Sequence, residues 1–240
     1  MNNQLIRIKA MILLCFSMNV AQAEVVPVFL AGGQSNAKIQ WANAIETELR
    51  AIYHPKAEVV HSFHPGDWLG QWSSDGVPQG NFTEDSAKVA ITMESIREAG
   101  DTPVFRGIFW FQGEGDTGSS VSIGLYKNRF RDMVSWYQLE YGESPCVCIM
   151  VIDAILPWAG RNQQNVDAMR QVLMDIGEPR PNVSRVDTRG YERSDPVHLT
   201  IPALEVLGVN AARAFTYTYG PRERRRGLWR YLFRINGVRN

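Results

Sequence analysis

The stretch VVPVFLAGGQSN, residues 25–36, runs from a short apolar segment into two glycines and then into a serine that stands between two amide side chains. The apolar part predicts a short buried strand, and the glycines predict a sharp turn at its end. Ser35 or Asn36 could serve there only to cap the next helix, which is a common use of these residue types. The alternative is that the turn exposes Ser35 as a nucleophile.

The pattern of this first strand recurs along the chain. After residues 25–30, apolar runs of strand length follow at residues 57–63, 104–111, 146–153 and 183–187. Segments with helical spacing separate them, at residues 41–53, 83–99, 123–141, 165–176 and 202–217. Such alternation predicts an α/β fold, a three-layer flavodoxin-like sandwich with a five-stranded parallel sheet and helices on both faces. We predict one domain over residues 24–220.

The first 23 residues have the parts of a secretory signal peptide. Arg7 and Lys9 precede an apolar core at residues 10–20, and residues 21–23 have the A-x-A form of a cleavage site. The core is too short to span a bilayer as a stable helix. We therefore expect residues 1–23 to be removed, no stable membrane insertion, and a protein that is secreted or periplasmic.

The formal net charge of zero hides two unlike regions. Residues 24–220 hold 16 Lys and Arg against 24 Asp and Glu, whereas residues 221–240 hold seven arginines and one glutamate. An acidic domain is not typical of nucleic-acid binders, so no nucleic-acid partner is expected. The basic C-terminal tail, residues 221–240, could touch an anionic surface or could simply be a frayed terminus.

Ligands of open parallel sheets bind beyond the carboxyl ends of the strands. The segments that leave the five predicted strands are rich in glycine and polar residues, which is typical of an enzyme site. The polar residues in these segments include Ser35, His64, Asp67, Gln112, Glu114, Asp116, Asp195 and His198. Their expected convergence on one edge of the sheet favours Ser35 as a nucleophile.

A nucleophilic serine needs a base, and the base works best when a third group orients it. Asp195 stands three residues before His198, across a proline, where its carboxylate can reach ring Nδ1 and leave Nε2 free. The tetrahedral oxyanion needs hydrogen-bond donors as well. The candidates are the Ser35 N–H, the Gly66 N–H and the side-chain amide of Gln112.

A zinc site is one alternative that the residues leave open. Its ligands would be His54, His61, His64 and Asp67. The two closer histidines should straddle the end of a strand and face different ways. We therefore expect neither a metal nor another cofactor.

Glycoside hydrolysis by a pair of carboxylates is a second alternative. Glu114 and Asp116 lie on the tight loop GEGD, where they could instead hold the loop by accepting backbone N–H bonds, and we favour this structural role. Trp68 and Glu114 are the residues expected to contact a substrate. Trp72 and Trp158, in the same set of loops, are weaker candidates for stacking on a sugar ring.

The motifs AGGQSN, WFQGEGD and DPVHL, in this order, resemble the three motif blocks of the SGNH (GDSL-type) hydrolase superfamily. The branch they resemble includes sialate O-acetylesterase-like proteins and carbohydrate esterase family six, and the likeness covers most of residues 25–216. The resemblance implies Ser35 as the nucleophile, His198 as the base and Asp195 as its orienter. It also implies that Gln112 is an oxyanion donor.

Two positions depart from the pattern of that branch. The segment HPGDWLGQW has Pro-Gly where the branch often has Gly-Gly, so Gly66 matches the second-block glycine less securely, and Gly80 is the alternative donor. Ala37 stands where methionine is usual after GQSN, which should tune the pocket rather than remove the chemistry.

The sequence therefore predicts an exported, cofactor-free serine esterase, a carboxylic ester hydrolase with a Ser-His-Asp triad. Its expected substrate is an acetylated carbohydrate, a glycan or a sialic acid, which loses its O-acetyl group through an acetyl-enzyme. The alternatives are a glycoside hydrolase that uses Glu114 and Asp116, and a non-catalytic carbohydrate-binding module. A module would not need a complete triad together with Gln112.

Overall fold

A computed structural model describes residues 23–142, 145–152, 161–176 and 182–220 of the chain. The predicted signal peptide, apart from Ala23, lies outside these residues, and so do the predicted basic tail and Trp158. Within the described ranges, no helix has the length and the apolar character needed to cross a membrane.

Strands and helices alternate along the described chain. The strands are β1 (Val25–Gly33), β2 (Glu58–Phe63), β3 (Ser73–Ser74), β4 (Val77–Pro78), β5 (Thr102–Phe111), β6 (Cys146–Val151) and β7 (Val183–Asp187). The α-helices are α1 (Ile39–Ile52), α2 (Gly80–Glu98), α3 (Ser120–Tyr141), α4 (Gln163–Asp175) and α5 (Ile201–Tyr219). Short 3₁₀ helices span Leu69–Gln71 and Gly115–Gly118.

Five of the strands form one parallel sheet in the order β2-β1-β5-β6-β7. The other two, β3 and β4, form a separate antiparallel hairpin. The predicted five-stranded parallel sheet is therefore confirmed, and β1 lies inside it rather than at an edge. β2 lies on one side of β1, and β5, the next strand of this sheet along the chain, lies on the other side. Open α/β sheets place a ligand crevice at such a change of side.

Helices cover both faces of the sheet because neighbouring residues of a strand point to opposite sides. Phe109 of β5 packs against Phe215 of α5, with ring centroids 5.3 Å apart. The next residue, Trp110, packs against Phe130 of α3 at 5.9 Å. Each of these aromatic side chains is at most 3% exposed. Burial of one such side chain stabilises the fold by roughly 1.5–3 kcal/mol, so the sequence pattern itself drives the three-layer arrangement.

Two glycines allow backbone contacts that the site depends on. Gly33 ends β1 with φ +147°, and a Cβ on it would lie 2.1 Å from the carbonyl oxygen of Phe111, the last residue of β5. Gly208 of α5 lies so near α1 that a Cβ would come within 2.6 Å of the Trp41 carbonyl oxygen. The first contact brings the turn after β1 directly against the loop after β5.

The carboxyl ends of the strands are joined by further backbone bonds. His64 N–H, just after β2, donates to Gly33 O at 2.9 Å, and Gln34 N–H, just after β1, donates to Phe111 O at 3.0 Å. The loops that follow β1, β2 and β5 therefore start from one rigid edge.

Candidate active site

Ser35, His198 and Asp195 form a continuous hydrogen-bonded chain. His198 Nε2 lies 2.8 Å from Ser35 Oγ, and its Nδ1 lies 2.7 Å from Asp195 Oδ2. With the ring proton on Nδ1, facing the carboxylate, Nε2 is left to accept the serine proton. Ser35 comes from the turn after β1 and the other two from the loop after β7, so the fold joins residues more than 150 positions apart.

The Asp195 carboxylate is held by its own loop. Its Oδ1 accepts hydrogen bonds from the backbone N–H groups of Val197 at 2.8 Å and His198 at 2.7 Å. Desolvation acts to raise the pKa of Asp195, but these N–H bonds and the His198 ring outweigh it and lower the pKa to about 2. The group that orients His198 is therefore ionised over the whole range in which histidine titrates.

The two amides that flank Ser35 tie its turn to different loops. Gln34 Oε1 accepts from the N–H groups of Gly113 and Gly115 at 3.2 and 3.0 Å, in the loop after β5. Asn36 turns the other way and bonds the residues on either side of His198. Its Nδ2 donates to Val197 O at 3.1 Å, and its Oδ1 accepts from Leu199 N–H at 3.0 Å. The serine is thus fixed relative to both loops.

Glu114 holds the side chain of Asn36 in place. It is 3% exposed, and its Oε1 accepts from Asn36 Nδ2 at 3.0 Å, while its Oε2 is buried with no partner among the described residues. Burial raises the pKa of Glu114, although the Asn36 bond opposes the shift. A contact of Glu114 with a substrate stays a prediction, since in this structure its carboxylate is covered by Asn36.

Asp116 is the second carboxylate of the loop, and it is fully buried. Its Oδ2 accepts from Leu69 N–H at 3.0 Å and from Gln112 Nε2 at 2.7 Å, and its Oδ1 accepts from Ser122 Oγ. Burial raises its pKa against the effect of these hydrogen bonds. The carboxylate therefore binds the loop after β5 to the segment after β2 and to the start of α3.

Gln112, the predicted oxyanion donor, is also fully buried. Both hydrogens of its amide are engaged, one by Asp116 Oδ2 at 2.7 Å and one by the carbonyl oxygen of Asp67 at 3.2 Å. The Asp67 bond is the longer and the weaker of the two. In this structure the Gln112 amide holds Asp67 in place. The amide could donate to an oxyanion if it gave up its bond to Asp67 O.

Asp67 follows Gly66, the predicted backbone donor. Gly66 has φ +80° in a turn that Asp67 N–H closes on His64 O at 3.3 Å, and its own N–H donates to no acceptor in the described part of the chain. Asn81 Nδ2 donates to Asp67 Oδ2 at 2.8 Å. Gly80, the alternative donor, precedes Asn81 as the first residue of α2, so the two candidate glycines belong to connected segments.

The other three histidines bind separate partners. His64 Nε2 lies 2.8 Å from Asp85 Oδ1, whereas His61 Nε2 lies 2.7 Å from Ala37 O. His54 Nδ1 accepts from Lys56 N–H at 3.2 Å. Over the ranges that the structure describes, no three His, Cys, Asp or Glu side chains are grouped so that they could hold a metal ion.

The tryptophans of the crevice loops differ from one another. Trp72 is fully buried and donates from Nε1 to Asp85 Oδ2 at 2.8 Å, so it is part of the core. Trp68 is 37% exposed, but the guanidinium of Arg129 lies over its ring, 4.6 Å from the centroid. One face of Trp68 is therefore covered by a cation, and stacking of that ring on a sugar stays a prediction.

Three positioning residues were missed at the level of sequence. Gln34 and Asn36 had a signal, because amides on both sides of a turn serine have more hydrogen-bonding capacity than a helix cap needs. Arg161 had none: its Nε donates to Glu114 O at 3.2 Å and its Nη2 to Gly115 O at 3.2 Å, across 46 or more positions of sequence. Long-range side-chain contacts of this kind leave no local pattern.

Solved structures with this fold come from several organisms. A protein of Arabidopsis thaliana aligns over 79% of this chain and 97% of its own, with a TM-score of 0.61 and 17% identity. A carbohydrate acetylesterase from Xanthomonas citri aligns over 80% of this chain and 56% of its own, at 0.60 and 14%. A Parabacteroides merdae protein described as GDSL-like aligns over 82% and 97%, at 0.56 and 12%. These likenesses show that the chain shares the fold of the three structures.

Residues 59–217 match the family of carbohydrate esterases described as sialic acid-specific acetylesterases. The match covers more than half of the chain, and the chain therefore belongs to this carbohydrate esterase family. No curated protein matches it. The matched region begins after the Ser35 turn and does not include Ser35.

Proposed function

We propose that the protein is a serine esterase that removes O-acetyl groups from carbohydrates, acetylated glycans or sialic acids, through an acetyl-enzyme on Ser35. The observation that carries this proposal is the chain Ser35–His198–Asp195, with contacts of 2.8 and 2.7 Å. Membership of a carbohydrate esterase family supports the same reaction class, and the acetylesterase among the structures of this fold is in keeping with it.

The residues divide the reaction into two steps. Ser35 Oγ attacks the acetyl carbonyl carbon while His198 Nε2 takes its proton, and the sugar oxygen leaves with that proton from the imidazolium. Water then attacks the acetyl-serine, with His198 again acting first as base and then as acid. Acetate is released and the free serine is restored.

The oxyanion of each tetrahedral intermediate needs donors that are already in place. We assign the backbone N–H groups of Ser35 and Gly66, neither of which has an acceptor within the described residues. Gln112 is the third donor, and it contributes when its 3.2 Å bond to Asp67 O is exchanged for the oxyanion. Catalytic hydrogen bonds of this kind often form only when substrate is bound.

Glycoside hydrolysis is less well supported. Glu114 and Asp116 are 3% and 0% exposed, and both accept hydrogen bonds from groups that hold their loop. A general acid and a nucleophile must reach the sugar from opposite sides of the bond to be cleaved. Buried carboxylates inside one loop do not meet that need.

The proposal includes export, because residues 1–23 have the composition of a signal peptide. Expression of the full chain in a bacterial host should yield a periplasmic or secreted form that begins at Glu24, as intact-mass measurement would show. Retention of residues 1–23 on protein in the cytoplasm would count against export.

The test of the function is acetate release from acetylated xylo-oligosaccharides, O-acetylated sialic acids and p-nitrophenyl acetate. The protein should act without added metal, and Ser35→Ala should lower the rate by about 10⁴-fold or more. Ser135→Ala is the matched control, since Ser135 is exposed on α3 and should keep full activity. The proposal fails if Ser35→Ala hydrolyses these esters as fast as the parent. If Ser35→Ala is as active as the parent and Glu114→Gln is inactive, the glycosidase alternative is favoured.

A further inference from the structure

Arg129 of α3 is a buried cation for which the described residues provide no hydrogen-bond acceptor. It is 8% exposed, and its Nη1 is buried with no acceptor among the described residues. Its guanidinium carbon lies over the Trp68 ring, 4.6 Å from the ring centroid. Stacking on an aromatic ring offsets part of the cost of burying a charge, but it leaves the N–H donors unused. A buried donor without an acceptor calls for an explanation, and a bound ligand or an ordered water are two that satisfy its hydrogen-bonding capacity.

The nearest carboxylate does not fill that role. The positive charge of Arg129 acts to lower the pKa of Asp116. Its oxygens, however, already accept from Leu69 N–H, Gln112 Nε2 and Ser122 Oγ. No ion pair joins Arg129 to any acidic side chain in the described ranges.

A pocket of about 360 Å³ opens beside this cation. Trp68 and Arg129 line it together with Gly115, Ser119 and the side chains of Val121 and Leu125. Ser119 caps the 22-residue helix α3, whose N-terminal end favours negative charge. The volume lies at the small end of the range for ligand pockets, which suits one sugar unit rather than a long chain.

The pocket adjoins the proposed catalytic site through one shared residue. Gly115 lines it, and the Gly115 N–H donates at 3.0 Å to Oε1 of Gln34, the neighbour of Ser35. A Cβ on Gly115 would lie 2.5 Å from Asp67 O, so the loop after β5 packs tightly against the segment after β2 at this point. The pocket and the Ser35 turn therefore contact the same loop.

We propose that this pocket is a subsite for a carboxylate carried by the acetylated sugar, with Arg129 as the residue that binds it. The guanidinium presents N–H donors in a planar fork that matches the two oxygens of a carboxylate, and the Trp68 ring contacts this guanidinium. A neutral sugar would leave the cation unpaired, so the subsite selects acidic sugars over neutral ones. The inference rests on the proposed esterase function and narrows its substrate class.

The test compares two substrates that differ only in charge: an O-acetylated methyl glucuronoside and the corresponding O-acetylated glucuronamide. Acetate release should be about ten- to a hundredfold faster in kcat/KM for the acid, mainly through KM, because hydrogen bonds to charged groups are worth that much. Arg129→Gln should bring the acid-to-amide ratio close to one, and Arg129→Lys should keep part of it. Arg131→Gln, an exposed arginine on the same helix, should keep the parent ratio.

The ratio is measured on one sample of each variant, so a partly unfolded Arg129→Gln does not distort it. The subsite proposal is overturned if the parent has equal kcat/KM for the acid and the amide. It is also overturned if Arg129→Gln leaves the acid-to-amide ratio of kcat/KM unchanged. In either case a water molecule would be the partner of Arg129. If the parent releases no acetate from any ester, the esterase proposal fails instead. Calorimetry with free glucuronate then decides the subsite alone: binding that Arg129→Gln loses supports it, and no binding overturns it.

Discussion

At the scale of single residues, Asp195 is held in place by its own short loop and by the His198 ring. The carboxylate is 45% exposed in its side chain, yet it accepts two backbone N–H bonds from its own loop and one from the His198 ring. The donors that hold this exposed aspartate come from its own loop rather than from the core.

The first prediction concerns the pH dependence of stability. The pKa of Asp195 is about 2 in the folded protein and about 3.9 in an unfolded chain, so its ionised form stabilises the fold above about pH 4. That contribution is lost as the pH falls from about 4 to 2. Asp195→Asn should therefore lower the free energy of unfolding more at pH 6 than at pH 2.5, as urea denaturation would show. An equal difference at both values would mean that the observed bonds do not shift this pKa.

A second prediction concerns the same residue in catalysis. Asp195→Asn should fold normally and slow ester hydrolysis by about 10⁴-fold, because the amide no longer fixes the proton on Nδ1 of His198. Circular dichroism and steady-state kinetics on the variant test this. Activity within tenfold of the parent would remove Asp195 from the triad.

The third prediction concerns Gln112. If its amide meets charge that develops only in the transition state, Gln112→Ala should lower kcat by about a hundred- to a thousandfold and change KM little. Gln112→Glu should be slower still, because it would set a carboxylate near the oxyanion and against Asp116. Turnover by Gln112→Ala within about threefold of the parent would limit Gln112 to holding the loop.

At the scale of elements, Asn36 joins three of them. Its side chain bonds Glu114 in the loop after β5 and both Val197 and Leu199 in the loop after β7, while its backbone belongs to the turn after β1. The side chain of Asn36 therefore fixes the position of the loop that carries His198 relative to the turn that carries Ser35.

The fourth prediction follows from these contacts of Asn36. Asn36→Ala leaves buried Leu199 N–H and the Glu114 carboxylate without this partner, which should cost about 1–3 kcal/mol of stability for each group left unpaired. The rate of ester hydrolysis should fall about ten- to a hundredfold in kcat, since small displacements in a site are costly. Asn43→Ala, on the exposed side of α1, is the control and should change neither quantity. Unchanged kcat in Asn36→Ala would show that the His198 loop is registered by other contacts.

At the scale of the whole molecule, the alternation of apolar and helical segments was enough to predict the sheet and its covering helices. β7 falls where the pattern placed it, and β1 extends beyond the predicted residue 30 because Ala31, Gly32 and Gly33 also pair with both neighbours. Small residues give no apolar signal, so pairing of this kind is visible only in the fold.

The hairpin of β3 and β4 was not predicted, although Asp75 and Gly76 turn it with φ of 52° and 73°. Asp-Gly is a strong hairpin signal, but strands of two residues are too short to show alternation beside it. The site shows a similar division. Ser35, His198 and Asp195 could be proposed from motif order, whereas the burial of Trp72 and the cation over Trp68 depend on packing that spacing does not encode.

Covalent labelling tests whether Ser35 is an activated nucleophile, as the hydrogen bond to His198 predicts. A fluorophosphonate probe reacts with serines whose proton is taken by a neighbouring base and leaves a stable adduct on the oxygen. Peptide mass spectrometry should find one adduct, on the peptide that contains Ser35, and His198→Ala should abolish it. An adduct on another residue, or none at all on protein that hydrolyses p-nitrophenyl acetate, would contradict the account.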